Sequence, residues 1–108
     1  MEIKEYLIKE QRHYQNLADI TWKAQSLAKF QGQADGYTYL LKLLNAYNKQ
    51  YLIDFCREFV NVKRTGIETW AKYCPNPSYY NSWRRRFFWG SYFKKAIRLT
   101  GLFLRQLQ

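Results

Sequence analysis

The chain has 108 residues, of which 47% are hydrophobic and 19% are aromatic, so it can bury one core and wholesale disorder is excluded. Its net charge is +10, from 18 Lys and Arg against 8 Asp and Glu, and no run of about 18 apolar residues that could span a membrane occurs. Glu2, Lys4 and Glu5 interrupt any early apolar run, so we expect no signal peptide and predict a cytoplasmic protein.

The first half of the chain predicts two long helices. Proline and glycine are absent from the first 31 residues, and apolar side chains from Ile3 to Ala28 recur at three- and four-residue steps. The pattern predicts one helix, or two collinear ones, over about 2–31, a turn at 32–36, and a second helix over about 37–60. Two antiparallel helices of this length would pack as a hairpin, which serves either as support or as a homodimer interface.

The second half contains the glycine and proline signals that delimit shorter elements. We predict a loop over about 61–66, followed by three short helices over about 66–73, 79–88 and 92–100. Ser78 and Ser91 are expected to cap the last two helices, and Gly101 to end the final one. The predicted fold is therefore all-α, with a long N-terminal helical hairpin over 1–60 followed by a compact basic bundle of short helices over 61–108, in one folded unit.

The positive charge is concentrated in the second half of the chain. Residues 1–54 carry 7 basic and 6 acidic side chains, whereas residues 55–108 carry 11 basic and only 2 acidic ones. A region with charge of almost one sign repels itself unless a polyanion binds it. This distribution favours nucleic acid as the partner of the second half.

The last two predicted helices separate apolar from polar side chains. On a wheel of 100° per residue, the face of the 79–88 helix that we expect to be buried carries Tyr79, Tyr80, Trp83 and Phe87. In the 92–100 helix the side expected to be buried carries Phe93, Ala96, Ile97 and Thr100. The remaining faces show Arg, Lys, Ser and Asn, the side chains that contact phosphates and base edges. The candidate nucleic-acid-binding residues are Lys63, Arg64, Ser78, Asn81, Ser82, Arg84, Arg85, Arg86, Ser91, Lys94, Lys95 and Arg98.

A short helix, a proline-rich turn and an Arg-rich helix also fit a helix-turn-helix pattern. The motifs that follow one another are Pro77-Ser78, Arg84-Arg85-Arg86-Phe87, Gly90-Ser91, Ala96-Ile97 and Thr100-Gly101-Leu102. Over about 50–102 the chain resembles the homing-endonuclease-associated repeat, a small helical DNA-binding module, in one imperfect copy. Gly90-Ser91 stands one residue early against the family pattern, and Thr100 replaces an alanine. The resemblance implies binding to duplex DNA, a role that in this family usually accompanies a nuclease.

No catalytic or metal-binding pattern is recognisable in the sequence. His13 is the only histidine, so neither a His-Asn-His nuclease site nor a four-ligand zinc site with Cys56 and Cys74 can be completed. The acidic residues lack metal-binding spacing, and no glycine-rich phosphate loop occurs. We therefore expect a protein without enzymatic activity or cofactor, whose two cysteines are reduced thiols.

These observations predict non-catalytic binding of nucleic acid, with duplex DNA preferred over RNA. Two alternatives remain open. A small phage- or plasmid-type inhibitor or adapter that docks on an acidic partner protein would have a similar composition. A peripheral binder of anionic membranes would use Phe88 and Trp89 together with the basic cluster, and is the weaker alternative.

Overall fold

The computed structural model describes residues 2–61, 74 and 82–106. Within them the chain forms four α-helices and no strand, which confirms the all-α class: α1 (Ile3–Ile20), α2 (Ala24–Ala46), α3 (Lys49–Asn61) and α4 (Trp83–Gln106). None of these helices is long and apolar enough to cross a membrane. The predicted 66–73 helix, the Ser78 cap and most of the 61–66 loop lie outside the described residues.

The N-terminal region forms a helical hairpin, but α1 and α2 form it and not the predicted helices over 2–31 and 37–60. Helix α1 ends at Ile20, and the backbone is extended at Thr21 (φ −86°, ψ 138°) and Lys23 (φ −82°, ψ 123°). Helix α2 then runs without interruption through 32–36, the segment predicted to be a turn. The second predicted helix, over 37–60, is divided between α2 and α3 by a break at Tyr47 and Asn48.

The two glycines of α2 serve helix packing rather than a turn. A Cβ atom on Gly32 would lie 2.3 Å from the Trp89 carbonyl oxygen, and one on Gly36 would lie 2.7 Å from the Ala96 Cβ atom. Only glycine therefore allows α2 and α4 to approach so closely. Glycine costs about 1 kcal/mol relative to alanine inside a helix, and the packing it permits here outweighs that cost.

Helix α2 lies between α1 and α4 and makes its most extensive contacts with these two helices, while α3 packs mainly on α4. One apolar cluster joins all four helices. Phe93 is at its centre, with ring centroids 4.9 Å from Trp89, 6.0 Å from Tyr39 and 6.3 Å from Phe59. The apolar side chains of α2 are thus covered, along much of the helix, by other helices of the same chain.

The C-terminal region forms one continuous helix where two were predicted. The expected break at Gly90-Ser91 and the expected end at Gly101 are both wrong, because α4 is helical from Trp83 to Gln106. Gly90 is buried, and a Cβ atom on Gly101 would make an ordinary contact of 3.6 Å with the Cys56 Cβ atom. Packing along the whole length of α4 stabilises the helix more than two glycines weaken it.

Candidate nucleic-acid interface

The buried side of α4 determines which of its side chains face outwards. Phe93, Ala96, Ile97 and Thr100 are each 0% exposed, as the sequence predicted. The Thr100 hydroxyl donates a hydrogen bond of 2.8 Å to the Ala96 carbonyl oxygen, which satisfies it inside the core. The helix is therefore held against α2 and α3 by one face, and the opposite face is turned to solvent.

We call that opposite side the outer face of α4, and on a helical wheel its polar members fall within about 100° of one another. These members are Arg84, Ser91, Lys94, Lys95, Arg98 and Arg105. All are exposed except the two lysines, which are half-buried. Phe87 and Leu102 share the face, exposed by 44% and 48%. From its first to its last arginine the face is about 31 Å long, at 1.5 Å per residue.

Apart from Ser82, which directly precedes α4, the predicted binding residues divide into three groups in the structure. The outer face brings together Arg84, Ser91, Lys94, Lys95 and Arg98, and it adds Arg105, which the sequence argument missed because it placed the helix end too early. Arg85 and Arg86 are exposed in the first turn. Four of the predicted residues lie outside the described residues: Lys63, Arg64, Ser78 and Asn81.

Two serines have positions that differ from their expected roles. Ser82 precedes α4, and its Oγ accepts a hydrogen bond of 3.3 Å from the Arg85 backbone N–H, so this serine caps the helix. Ser91 is in the middle of α4 and exposed, so it is not an N-cap and offers only its hydroxyl. Any anion contact at Ser91 therefore lacks the unpaired backbone N–H groups of a helix terminus.

Of the aromatic face predicted for the start of this helix, Phe87 is the member whose side chain the structure describes, and its predicted burial is wrong. Phe87 was expected to be buried but is 44% exposed, whereas Trp89, considered as a surface ring for membranes, is 2% exposed. The backbones of α2 and α4 meet at Trp89, where the glycines of α2 allow the close approach. A helical wheel of the 79–88 segment alone could not show this contact, because the contacting residues belong to another helix, α2.

A polar network that the sequence did not reveal fixes the position of Trp89. Its indole Nε1 donates a hydrogen bond of 2.9 Å to Asp35 Oδ2, and Gln31 Nε2 donates one of 2.8 Å to Asp35 Oδ1. Gln31 also exchanges two amide hydrogen bonds, of 3.0 and 2.9 Å, with Gln15. Burial raises the pKa of the Asp35 carboxyl group, against the opposing effect of the two hydrogen bonds. The network links α1, α2 and α4, and its only sequence signal was the four-residue spacing of Gln31 and Asp35.

The positive charge of α4 is not balanced within the helix. Seven Lys and Arg residues and no Asp or Glu occur between Trp83 and Gln106. Three of the seven are in the first turn, Arg84, Arg85 and Arg86, where the helix dipole also presents positive charge. Positive side chains beside the positive end of a helix dipole favour the binding of an anion there.

Aromatic rings line one flank of the outer face. The Lys29 ammonium lies 4.8 Å from the ring centroid of Phe88, and the Lys95 ammonium lies 5.2 Å from that of Tyr92. Both rings are half-buried. Cation–π attraction therefore holds the Lys29 and Lys95 ammonium groups against these rings without neutralising their charge.

The described residues contain no group of three or more His, Cys, Asp and Glu side chains arranged to hold a metal ion. Cys56 is buried in the core, and burial raises the pKa of its thiol to about 12. A thiol with that pKa stays protonated near neutral pH and is a poor nucleophile. Cys74 is half-buried.

Comparison with known protein families, with curated proteins and with solved structures finds no match to this chain. The resemblance to the homing-endonuclease-associated repeat stays a prediction, supported by the motif residues alone. Of those motifs, Pro77-Ser78 lies outside the described residues, and the others lie on the single helix α4.

Proposed function

We propose that this protein binds nucleic acid without catalysing a reaction, with duplex DNA preferred over RNA, through the outer face of α4. The observation that carries the proposal is a 24-residue helix with seven basic and no acidic side chains, one face of which is anchored in the core. A helix face that is merely solvated usually mixes both signs of charge. A face of one sign, held rigidly, suits a polyanion.

The dimensions of the outer face fit a duplex. Its length of about 31 Å compares with roughly 34–36 Å for one helical turn of DNA, and the major groove admits an α-helix. Arg84, Arg98 and Arg105 are exposed and spread along the helix, so they can contact phosphates at separate positions along the duplex. Arg85, exposed in the first turn, is the described residue best suited to read a base edge.

A salt titration tests the electrostatic basis of binding. With about four to six phosphate contacts, the log–log slope of affinity against salt for duplex DNA is expected to be roughly −4 to −5. Fluorescence anisotropy of a labelled duplex, measured between about 50 and 200 mM salt, gives this slope directly. Affinity that does not change with salt over this range would contradict the proposal.

Two triple variants test where the contacts lie. Arg84→Gln, Arg98→Gln and Arg105→Gln together remove three exposed charges from the outer face. The matched control removes three exposed charges from α1: Lys4→Gln, Lys9→Gln and Arg12→Gln. Both proteins lose the same net charge. We expect the α4 variant to bind DNA with a slope shallower by about 2 to 3, and the α1 variant to bind nearly as the unmodified protein does.

Equal losses in the two triple variants would mean that only net charge matters, and the assignment to α4 would be wrong. Wild-type protein that forms a tight stoichiometric complex with a protein partner, unaffected by added DNA, would instead select the inhibitor or adapter alternative. Substitutions at exposed positions usually change stability by about 0.5 kcal/mol or less, so both variants should stay folded. Circular dichroism on each variant checks that a loss of DNA binding is not caused by unfolding.

A further inference from the structure

The turn between α1 and α2 exposes two large apolar side chains. Trp22 is 86% exposed and Ile20 is 78% exposed, the highest values among the large hydrophobic residues described. The extended backbone at Thr21 and Lys23 forms the turn, so the turn needs neither the Trp22 ring nor the Ile20 side chain. Tryptophan at such exposure is uncommon because its large apolar surface favours burial. The turn therefore offers a surface that the fold itself does not use.

This turn lies at the same end of the molecule as the first turn of α4. Lys29 contacts Phe88, Gly32 contacts Trp89, and Gly36 contacts Ala96, so residue numbers rise together along the two helices, which run parallel. Helix α2 begins five residues before Lys29, roughly 8 Å along its axis, and Arg84 lies four residues before Phe88, roughly 6 Å along α4, at 1.5 Å per residue. The start of α2 and the turn that precedes it therefore lie near the level of the first turn of α4.

The charge around this end is mostly positive, with the exposed Asp19 as the acidic residue beside the turn. Arg84, Arg85 and Arg86 are exposed in the first turn of α4, and the Lys23 ammonium lies 5.6 Å from the centroid of the Trp22 ring. Exposed aromatic rings among cations are the composition of sites that hold unpaired nucleotides, where bases stack on rings and phosphates meet Arg and Lys.

We propose that Trp22 is a stacking platform for an unpaired nucleotide of a nucleic acid whose phosphates follow the outer face of α4. This inference rests on the proposed function and adds a substrate class to it: duplex DNA that carries a single-stranded extension. Because α2 packs on the buried side of α4, Trp22 lies behind the outer face. A flexible single strand can bend around the end of the molecule and reach Trp22 while the duplex stays on the outer face. A planar bilayer could contact the end of the molecule or the outer face, but not both at once.

The test compares three probes: a blunt duplex, the same duplex with a dT tail of about six nucleotides on its 5′ end, and the same duplex with that tail on its 3′ end. Wild-type protein is expected to bind one of the tailed probes roughly 5- to 150-fold more tightly than the blunt duplex, which corresponds to about 1–3 kcal/mol for one stacked base. Trp22→Ala is expected to abolish this difference and leave blunt-duplex affinity unchanged. Trp22→Tyr, which keeps a ring, should restore part of it.

Ile20→Ala is the matched control, since it removes an exposed apolar side chain from the same turn without removing a ring. It should keep the full preference for the tailed probe. If wild-type protein binds blunt and tailed probes equally, the stacking site is wrong while the proposed function stands. If it binds neither probe, both are wrong.

A third arm replaces DNA with vesicles that contain anionic phosphatidylserine. If Trp22→Ala weakens vesicle binding but not the preference for the tailed probe, the turn is a membrane contact and the stacking inference is overturned. Thermal unfolding of each variant completes the experiment, and all three should melt within a few degrees of the wild-type protein because the changed side chains are exposed.

Discussion

Helices α2 and α4 are nearly equal in length, at 23 and 24 residues, but they differ in what surrounds them. Helix α2 packs against α1 and α4, and it carries three charged residues: Lys29, Asp35 and Lys42. Helix α4 buries one face and carries seven basic residues. The comparison shows that the arrangement of the neighbouring helices, on two sides of α2 but on one face of α4, decides the composition that each helix can tolerate. A helix between two others needs small residues at the contacts, whereas a helix at the surface can keep a charged face.

The polar side chains of the two helices also differ in their burial. In α2 the side chains of Gln33 and Tyr37 are buried, and burial raises the pKa of the Tyr37 hydroxyl well above its ordinary value. Asp35 is held by hydrogen bonds from Gln31 and Trp89. On α4 the polar side chains other than Thr100 lie at or near solvent. Substitutions in α2 and on the buried side of α4 should therefore act on stability, and substitutions on the outer face should act on binding.

The largest expected effect is at Trp89, where the two helices meet. Trp89→Ala should lower the free energy of unfolding by about 3–5 kcal/mol, because it leaves a cavity and removes one of the two hydrogen-bond donors to Asp35. Trp22→Ala is the matched control and should change stability by about 0.5 kcal/mol or less, since that ring is exposed. Chemical denaturation of both variants checks the difference. Similar losses at the two positions would show that the burial contrast does not govern stability.

The next effect concerns the glycines. Gly32→Ala should destabilise the protein by about 1–3 kcal/mol, because the new methyl group would meet the Trp89 carbonyl and force α2 and α4 apart. Gly101→Ala should be neutral or stabilise by up to about 1 kcal/mol, since its Cβ atom would make an ordinary contact and alanine favours helix. Melting temperatures of the two variants are compared under identical conditions. A stable Gly32→Ala protein would mean that the close approach is not required.

The smallest expected effect is the pH dependence contributed by Asp35. Burial raises its pKa in the folded protein above the ordinary value of 3.8, so the folded state holds this proton more tightly than the unfolded state. The stabilising contribution is complete below pH 3.8 and is lost as the pH rises through the higher, folded pKa. Asp35→Asn cannot titrate. Its stability relative to wild type should therefore increase across that acidic window, as measured by urea unfolding at a series of pH values.

A stability difference between Asp35→Asn and wild type that does not change with pH would show that Asp35 keeps its ordinary pKa in the folded protein. A difference that falls as the pH rises would mean that the hydrogen bonds from Trp89 and Gln31 outweigh burial. The pH dependence therefore shows whether the folded protein destabilises the ionised form of Asp35 by burial or stabilises it by hydrogen bonding.

The sequence by itself determined the all-α class and the residues that α4 buries from Phe93 to Thr100, because apolar periodicity reports one helix face regardless of its neighbours. It also determined where the positive charge lies along the chain. The tertiary structure decided where helices begin and end, and which aromatic rings are buried. Gly32, Gly36, Gly90 and Gly101 each cost a helix about 1 kcal/mol locally, but packing between helices outweighs this. Trp89 meets Asp35 across 54 residues of sequence, a contact that no local pattern contains.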